Sequence, residues 1–230
     1  MIYTDLQQRT AEWIQMRCGC VTASRVSDVM AKLKRGGEPV CKTNYRNDLI
    51  CERLTGRAAE HYVSMYMDEG MENEPLARAA YEMGLDVEVQ QVGLAMHDRI
   101  KWFAASPDGL VGDDGLLEIK CPKTTNHIEI VRSHVIPEEY QWQMLAQMSC
   151  TDRQWCDFIS YDPKLPPGLR LYVKRFDRDE ARIAEMEQEV EKFLAEVEAV
   201  VTELSKGIPE EDLTEKLEES LRAVQGVPAK

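Results

Sequence analysis

The stretch SPDGLVGDDGLLEIK, residues 106–120, can do little other than form a β-hairpin. Two runs of strand character flank a Gly-Asp-Asp-Gly turn, the chemistry that short hairpin loops favour. A three-residue loop over 112–114, with Gly115 in the left-handed position of a bulge, pairs Val111 with Gly115. That register sets Asp108 opposite Glu118 and Ser106 opposite Lys120. A slip of one residue would send Asp108 to the other face. Glu118 and Lys120, two apart on one strand, share a face.

Adjacent carboxylates repel unless a positive charge lies between them. Mg²⁺ suits such a pair, because it takes hard oxygen ligands, often one or two carboxylates plus phosphate oxygens. The expected ligands are Asp108 and Glu118, with the backbone carbonyl of Ile119 as a further oxygen. Lys120, its pKa lowered by the cation, would hold or deprotonate an attacking water. These are the requirements of phosphodiester hydrolysis. The competing reading is a solvated hairpin with ordinary surface charges, since a Pro-Asp followed by Glu-x-Lys is a short pattern.

The segments around the hairpin divide by periodicity. Helical spacing runs through TDLQQRTAEWIQMR, with Leu6, Trp13 and Met16 inward, and through a second helix from Thr22 or Ser24 past Val26, Val29, Met30 and Leu33. NYRNDLICERLTG and MENEPLARAAYEMG are also helical, closed by Gly56 and Gly84; Pro75 either opens the latter or kinks a longer helix. LDVEVQQVG, KWFAAS, LLEIK, WCDFISYD and LRLYVKRF read as strands. PEEYQWQMLAQMSC returns to helix. The last fifty residues carry a helical stripe of Ile183, Met186, Val190, Leu194, Val197, Val201 and Leu204, then a short helix through Leu213, Leu217 and Leu221. The expectation is an α/β (α+β) domain, a central mixed β-sheet flanked by helices. Residues 1–177 form its core and N-terminal helices, and residues 178–230 an acidic helical extension packed on the same domain.

At 230 residues and 43% hydrophobic content the chain can bury a core, and no apolar run approaches a membrane span. The N-terminus lacks a signal-like stretch, which points to an intracellular protein. Seven cysteines without a CxxC pair read as reduced thiols, and an iron–sulfur cluster would need a close triplet that is missing. The net charge of −13 is awkward for a protein that binds phosphates. Much of the excess lies after residue 178, which leaves a less acidic body.

Four blocks then carry a resemblance: EWIQMRCGCVTASRVSDVMAK, GMENEPLAR, SPDGL…LLEIKCP and YQWQMLAQM, in that order over about residues 13–148. Together they resemble the lambda-type phage exonucleases, also called YqaJ-like viral recombinases, of the PD-(D/E)xK nuclease superfamily. The resemblance implies a restriction-endonuclease-like core and a metal-dependent 5′→3′ exonuclease on double-stranded DNA ends. Such an enzyme releases 5′-mononucleotides and leaves a 3′ overhang for a single-strand annealing protein. By motif, Asp108 and Glu118 match metal ligands, Lys120 the catalytic lysine and Glu74 a glutamate near the metal. Arg17, Ser24 and Ser106 match positions that hold a 5′-terminal phosphate, which suits a guanidinium and hydroxyls. Gln143, in preference to Gln141, matches a glutamine beside the active site, and Met67 lies near an apolar wedge.

The resemblance further implies Mg²⁺, as two ions with Mn²⁺ able to substitute, and a ring, commonly a trimer. In such a ring Lys32, Lys34 and Arg35 would line or rim the channel while the acidic tail faces outward. The implied setting is the cytoplasm of a bacterial host, with the gene carried by a phage or prophage. Readings kept beside it are another nuclease of the superfamily, an endonuclease or a helicase-linked exonuclease, and a non-catalytic DNA-binding scaffold on the same fold.

Overall fold

Helices fill most of the first third of the chain and strands much of the middle, with the first two helices shorter and the next two longer than the hydrophobic pattern alone implies. The computed structural model describes residues 1–59 and 65–206, with the backbone alone at 65–69. Strand β1 (Ile2–Tyr3) precedes helix α1 (Ala11–Arg17). The helix expected from Thr4 starts only at Ala11, because Arg9 holds a left-handed φ of 69° and Thr10 caps the Trp13 N–H. Leu6, Trp13 and Met16 do pack inward, against Cys20, Leu94 and Ala104.

Strand β2 (Val21–Thr22) leads through a 3₁₀ turn into α2 (Val26–Met30). This helix stops short of Leu33: Ala31 is extended, and Leu33 itself is exposed, so nothing apolar rewards another turn. Helix α3 (Val40–Thr55) ends at Gly56 in the left-handed conformation, the C-terminal signal expected there. Helix α4 (Met65–Leu85) contains Pro75 in its interior, so the proline sits within a longer helix and does not open one.

The strands follow as β3 (Val89–Gln90), β4 (Leu94–Met96), β5 (Phe103–Ala105), β6 (Gly109–Val111) and β7 (Gly115–Lys120). Helices α5 (Thr124–Ser133) and α6 (Glu138–Thr151), strand β8 (Trp155–Tyr161), the short α7 (Pro167–Arg170), strand β9 (Leu171–Asp177) and helix α8 (Glu180–Ser205) complete the described fold. Two mixed sheets result in place of one: β1-β4-β5-β2 and β3-β6-β7-β8-β9. Within them β2 runs parallel to β5, and β7 parallel to β8. Helices α2, α3, α6 and α8 enclose the larger core, in which Tyr45, Leu49, Met144, Met148, Phe158, Met186, Val190 and Phe193 are buried. The expected final helix through Leu213 and Leu221 lies outside the described residues.

The hairpin has the expected register: Val111 pairs with Gly115 and Gly109 with Leu117. Its glycines divide the labour differently, however. Gly112, at φ 54°, takes the left-handed position, and Gly115 does not. Gly115 is needed for another reason, since a Cβ there would come within 2.1 Å of the Trp155 ring on the neighbouring strand. Strand β7 is thereby pressed between β6 and β8, and all of it is buried except Lys120.

Candidate active site

A central strand with a parallel neighbour is usually an unbroken apolar run. Glu118 breaks that rule in the middle of β7 at 1% exposure. Burying a carboxylate is costly unless it is paired and hydrogen-bonded, and here both oxygens are engaged. Oε1 lies 2.5 Å from the Lys120 Nζ and accepts from the Gln143 Nε2 at 2.7 Å; Oε2 accepts from the Gln147 Nε2 at 2.6 Å. Lys120 also donates to the Gln143 Oε1 at 3.1 Å and lies over the Tyr140 ring at 4.9 Å. Helix α6 thus presents Tyr140, Gln143 and Gln147, spaced three and four apart, along one face toward the end of β7.

Asp108 stands just before β6, opposite Glu118 in the continued register. Its N–H donates to the Leu117 carbonyl (3.2 Å), and its Oδ2 accepts the Ile119 N–H (2.6 Å). A strand residue's N–H and C=O point the same way, so the Ile119 carbonyl is turned toward the Asp108 side as well. Burial, then Glu118 and Glu74, push the Asp108 carboxyl well above the usual carboxylate range, against the opposing pull of Lys120 and the Ile119 N–H. Burial alone would lower the Lys120 ammonium; Glu118 and Asp108 override it and raise the pKa above the ordinary lysine value. Among these carboxylates Lys120 is a firmly held cation.

Glu74 comes to the same place from α4, with Pro75 accommodated in the helix. It accepts from Arg78, one turn on, at 2.9 Å and pairs with Arg9 from the N-terminal loop. Arg78 also reaches the Asp108 carbonyl at 3.3 Å. Asp108, Glu118, Lys120, Gln143 and Glu74 therefore form one cluster. Gln141 is directed elsewhere, donating to the Ile136 carbonyl and accepting from Arg182.

Arg17 and Ser24 line a separate cavity of about 700 Å³ with Trp13, Thr22, Arg25 and Tyr45. Arg17 stacks over the Trp13 ring at 3.9 Å and makes no ion pair among the described residues. Ser106 does not line this cavity; it joins it through Trp13, whose indole N–H donates to the Ser106 Oγ at 3.1 Å. Burial first of all pushes the neighbouring Cys18 and Cys20 thiols up to about 12, which leaves them protonated and inert. The side chain of Met67 lies outside the described residues.

Sequence reasoning overlooked four of the site's residues. Gln147 and Arg78 had a signal, each lying four residues beyond a residue already singled out. Tyr140 was legible only as a member of its helix. Arg9 had none, because its partner Glu74 is 65 residues away.

Two solved structures of the alkaline exonuclease LHK-Exo from Laribacter hongkongensis, one of them in complex with dAMP, share 49% identity with this chain. They cover 86% of this chain and 97% of theirs, with TM-scores of 0.81 for the dAMP complex and 0.80 for the other. A phage-related exonuclease from Haemophilus somnus 129PT, at 16% identity, covers 81% of this chain and 96% of its own with a TM-score of 0.64, a likeness of fold alone. The fold is that of the exonuclease class. Residues 12–154 match the YqaJ-like viral recombinase domain, and the chain belongs to that family. A curated relative, the uncharacterized protein R354 of Acanthamoeba polyphaga mimivirus, is 26% identical over 169 residues; the match takes in 67% of this chain but only 29% of that protein.

Proposed function

We propose that this protein is a metal-dependent 5′→3′ exonuclease that acts on double-stranded DNA ends, releases 5′-mononucleotides and leaves a 3′ single-stranded overhang. The observation that carries the reading is Glu118, a carboxylate set in the centre of a buried sheet, with Lys120 beside it and Asp108 opposite. The exonuclease activity of the 49%-identical neighbour, and the nucleoside monophosphate bound in one of its structures, support it.

The donor set fits a hard divalent cation. Asp108 and Glu118 stand opposite one another with Glu74 nearby, although among the described residues no three such side chains already stand close enough together to hold an ion. Burial first, and then Glu118 and Glu74, raise the Asp108 carboxyl, and a bound cation would relieve that crowding. Asp108, Glu118 and the Ile119 carbonyl would hold Mg²⁺ or Mn²⁺, as one ion or two, with Glu74 joining once Arg9 and Arg78 release it. When bound, the ion supplies positive charge that offsets the charge developing on the phosphate.

The chain's own groups do the rest. An ammonium has three N–H donors; Lys120 directs two at Glu118 and Gln143, and the third remains to hold the attacking water. Gln143 fixes the ammonium by accepting from it. Arg17 and Ser24 would take the 5′-terminal phosphate in their cavity, with Ser106 acting through Trp13.

The proposal extends to the assembly: a ring, commonly a trimer, through which duplex enters, in the cytoplasm of a bacterial host of the phage or prophage. A single-strand annealing protein would receive the overhang. No helix among the described residues is long and apolar enough to cross a membrane.

Linear duplex labelled separately at each end tests the function. With Mg²⁺ the 5′ label is expected to leave first as a mononucleotide from 5′-phosphorylated ends, while the 3′ label persists, and a chelator stops both. Internal cuts, or loss of the 3′ label first, would sink the reading. Light scattering is expected to give a trimeric mass, and DNA affinity to fall steeply with salt; a monomeric mass at micromolar concentration would remove the ring.

A further inference from the structure

Gln147 is wholly buried on α6, and its Oε1 has no hydrogen-bond partner among the described residues. An unsatisfied buried acceptor costs about 1–3 kcal/mol, a cost that methionine or leucine would avoid at the same volume. The amide orientation is fixed by chemistry, because an ionised carboxylate only accepts and Nε2 must face it. That single donor, at 2.6 Å, reaches the Glu118 Oε2. The other oxygen, Oε1, already has Lys120 and Gln143. Gln143 is in turn shared with Lys120. Among the described residues, Gln147 is the one group that holds Oε2.

We propose that Gln147 is a positioning residue: it anchors Oε2 and so fixes the plane of the Glu118 carboxylate for the metal ion. This rests on the reading of Glu118 as a metal ligand. Groups that orient a ligand of this kind change metal affinity about 10- to 100-fold when removed. A merely structural role, satisfying one buried oxygen, would change the stability of the fold and leave ion binding alone.

Gln147→Met keeps the volume and removes the donor together with the orphan acceptor. Isothermal calorimetry with Mn²⁺ alone, without DNA, is expected to show affinity about 10-fold or more below that of the unaltered protein. In turnover, kcat is expected to fall by a similar factor at unchanged KM for DNA ends. Should the methionine variant not fold, Gln147→Asn withdraws the amide by one methylene and is expected to weaken binding likewise. An unaltered Mn²⁺ isotherm in either folded variant would overturn the positioning role while leaving Glu118 as a ligand. Failure of the unaltered protein itself to bind Mn²⁺ would overturn the metal reading, and the role of Gln147 with it.

Discussion

Asp108→Asn is expected to abolish DNA hydrolysis while leaving the thermal midpoint unchanged or higher. The amide oxygen of asparagine can still accept the Ile119 N–H that now meets Oδ2 at 2.6 Å. What the substitution removes is a charge crowded by Glu118 and Glu74. A carboxylate kept where it is repelled costs stability, and such strain is typical of sites that must bind a cation. Lys120→Ala is expected to lose activity by about 10³-fold or more, with the opposite effect on the fold. It strips the buried Glu118 of its counter-charge, and breaking a buried pair costs about 3–5 kcal/mol, less where one partner is partly exposed as Lys120 is. Glu118→Ala joins these as inactive. Single-turnover rates beside melting curves check the set. A folded Lys120 or Glu118 variant with the original rate would remove the hairpin from catalysis.

The contrast between those variants shows what was legible in the sequence. The hairpin register could be read because loop length and turn residues fix it locally, and Val111 does meet Gly115. The exchange of roles between Gly112 and Gly115 could not, since it depends on Trp155, forty residues on. Strands β1, β2 and β4 escaped notice because two or three residues carry too little period-2 signal, and their pairing splits the expected single sheet into two. Helices α3 and α6 were plain, with their bounding Gly56 and Pro137. Helix α5 was not singled out, although it buries His127 and Ile130.

The charge problem also takes a form that composition hides. The acidic residues of α8 do not simply face solvent. Glu185, Glu187, Glu196 and Glu198 meet Lys32, Arg99, Arg46 and Arg53 at 2.6–3.1 Å. Lys32, expected to rim a DNA channel, is therefore already paired, whereas Lys34 and Arg35 make no ion pair among the described residues. Exposed pairs of this type contribute little stability, about 0–1 kcal/mol each. Their effect on a phosphate-bearing ligand would be larger, because every cation they occupy is one fewer for phosphate. Recognition of a phosphate would fall to cations that α8 does not touch, and Arg17, stacked on Trp13 in its cavity, is one of them.

Arg17→Ala is expected to lower kcat/KM on 5′-phosphorylated ends by about 10- to 150-fold, the value of charged hydrogen bonds worth about 1.5–3 kcal/mol. On 5′-hydroxyl ends it is expected to change little, so the preference between the two ends flattens. Burial works against the Arg17 charge and lowers its pKa, and the nearby Glu52 carboxylate offsets this only in part. Glu52 is itself committed to the backbone N–H groups of Gly19 and Ala59, at 2.6 and 2.9 Å. Among the described residues the guanidinium therefore rests on an aromatic face without a carboxylate partner, an arrangement that an arriving phosphate dianion would complete. Arg17→Lys keeps the charge but not the planar fork, and is expected to fall between the two. Initial rates on paired substrates that differ only in the 5′ phosphate measure all three. If the preference survives in Arg17→Ala, the terminal phosphate is read elsewhere, and the cavity beside Ser24 loses its assigned ligand.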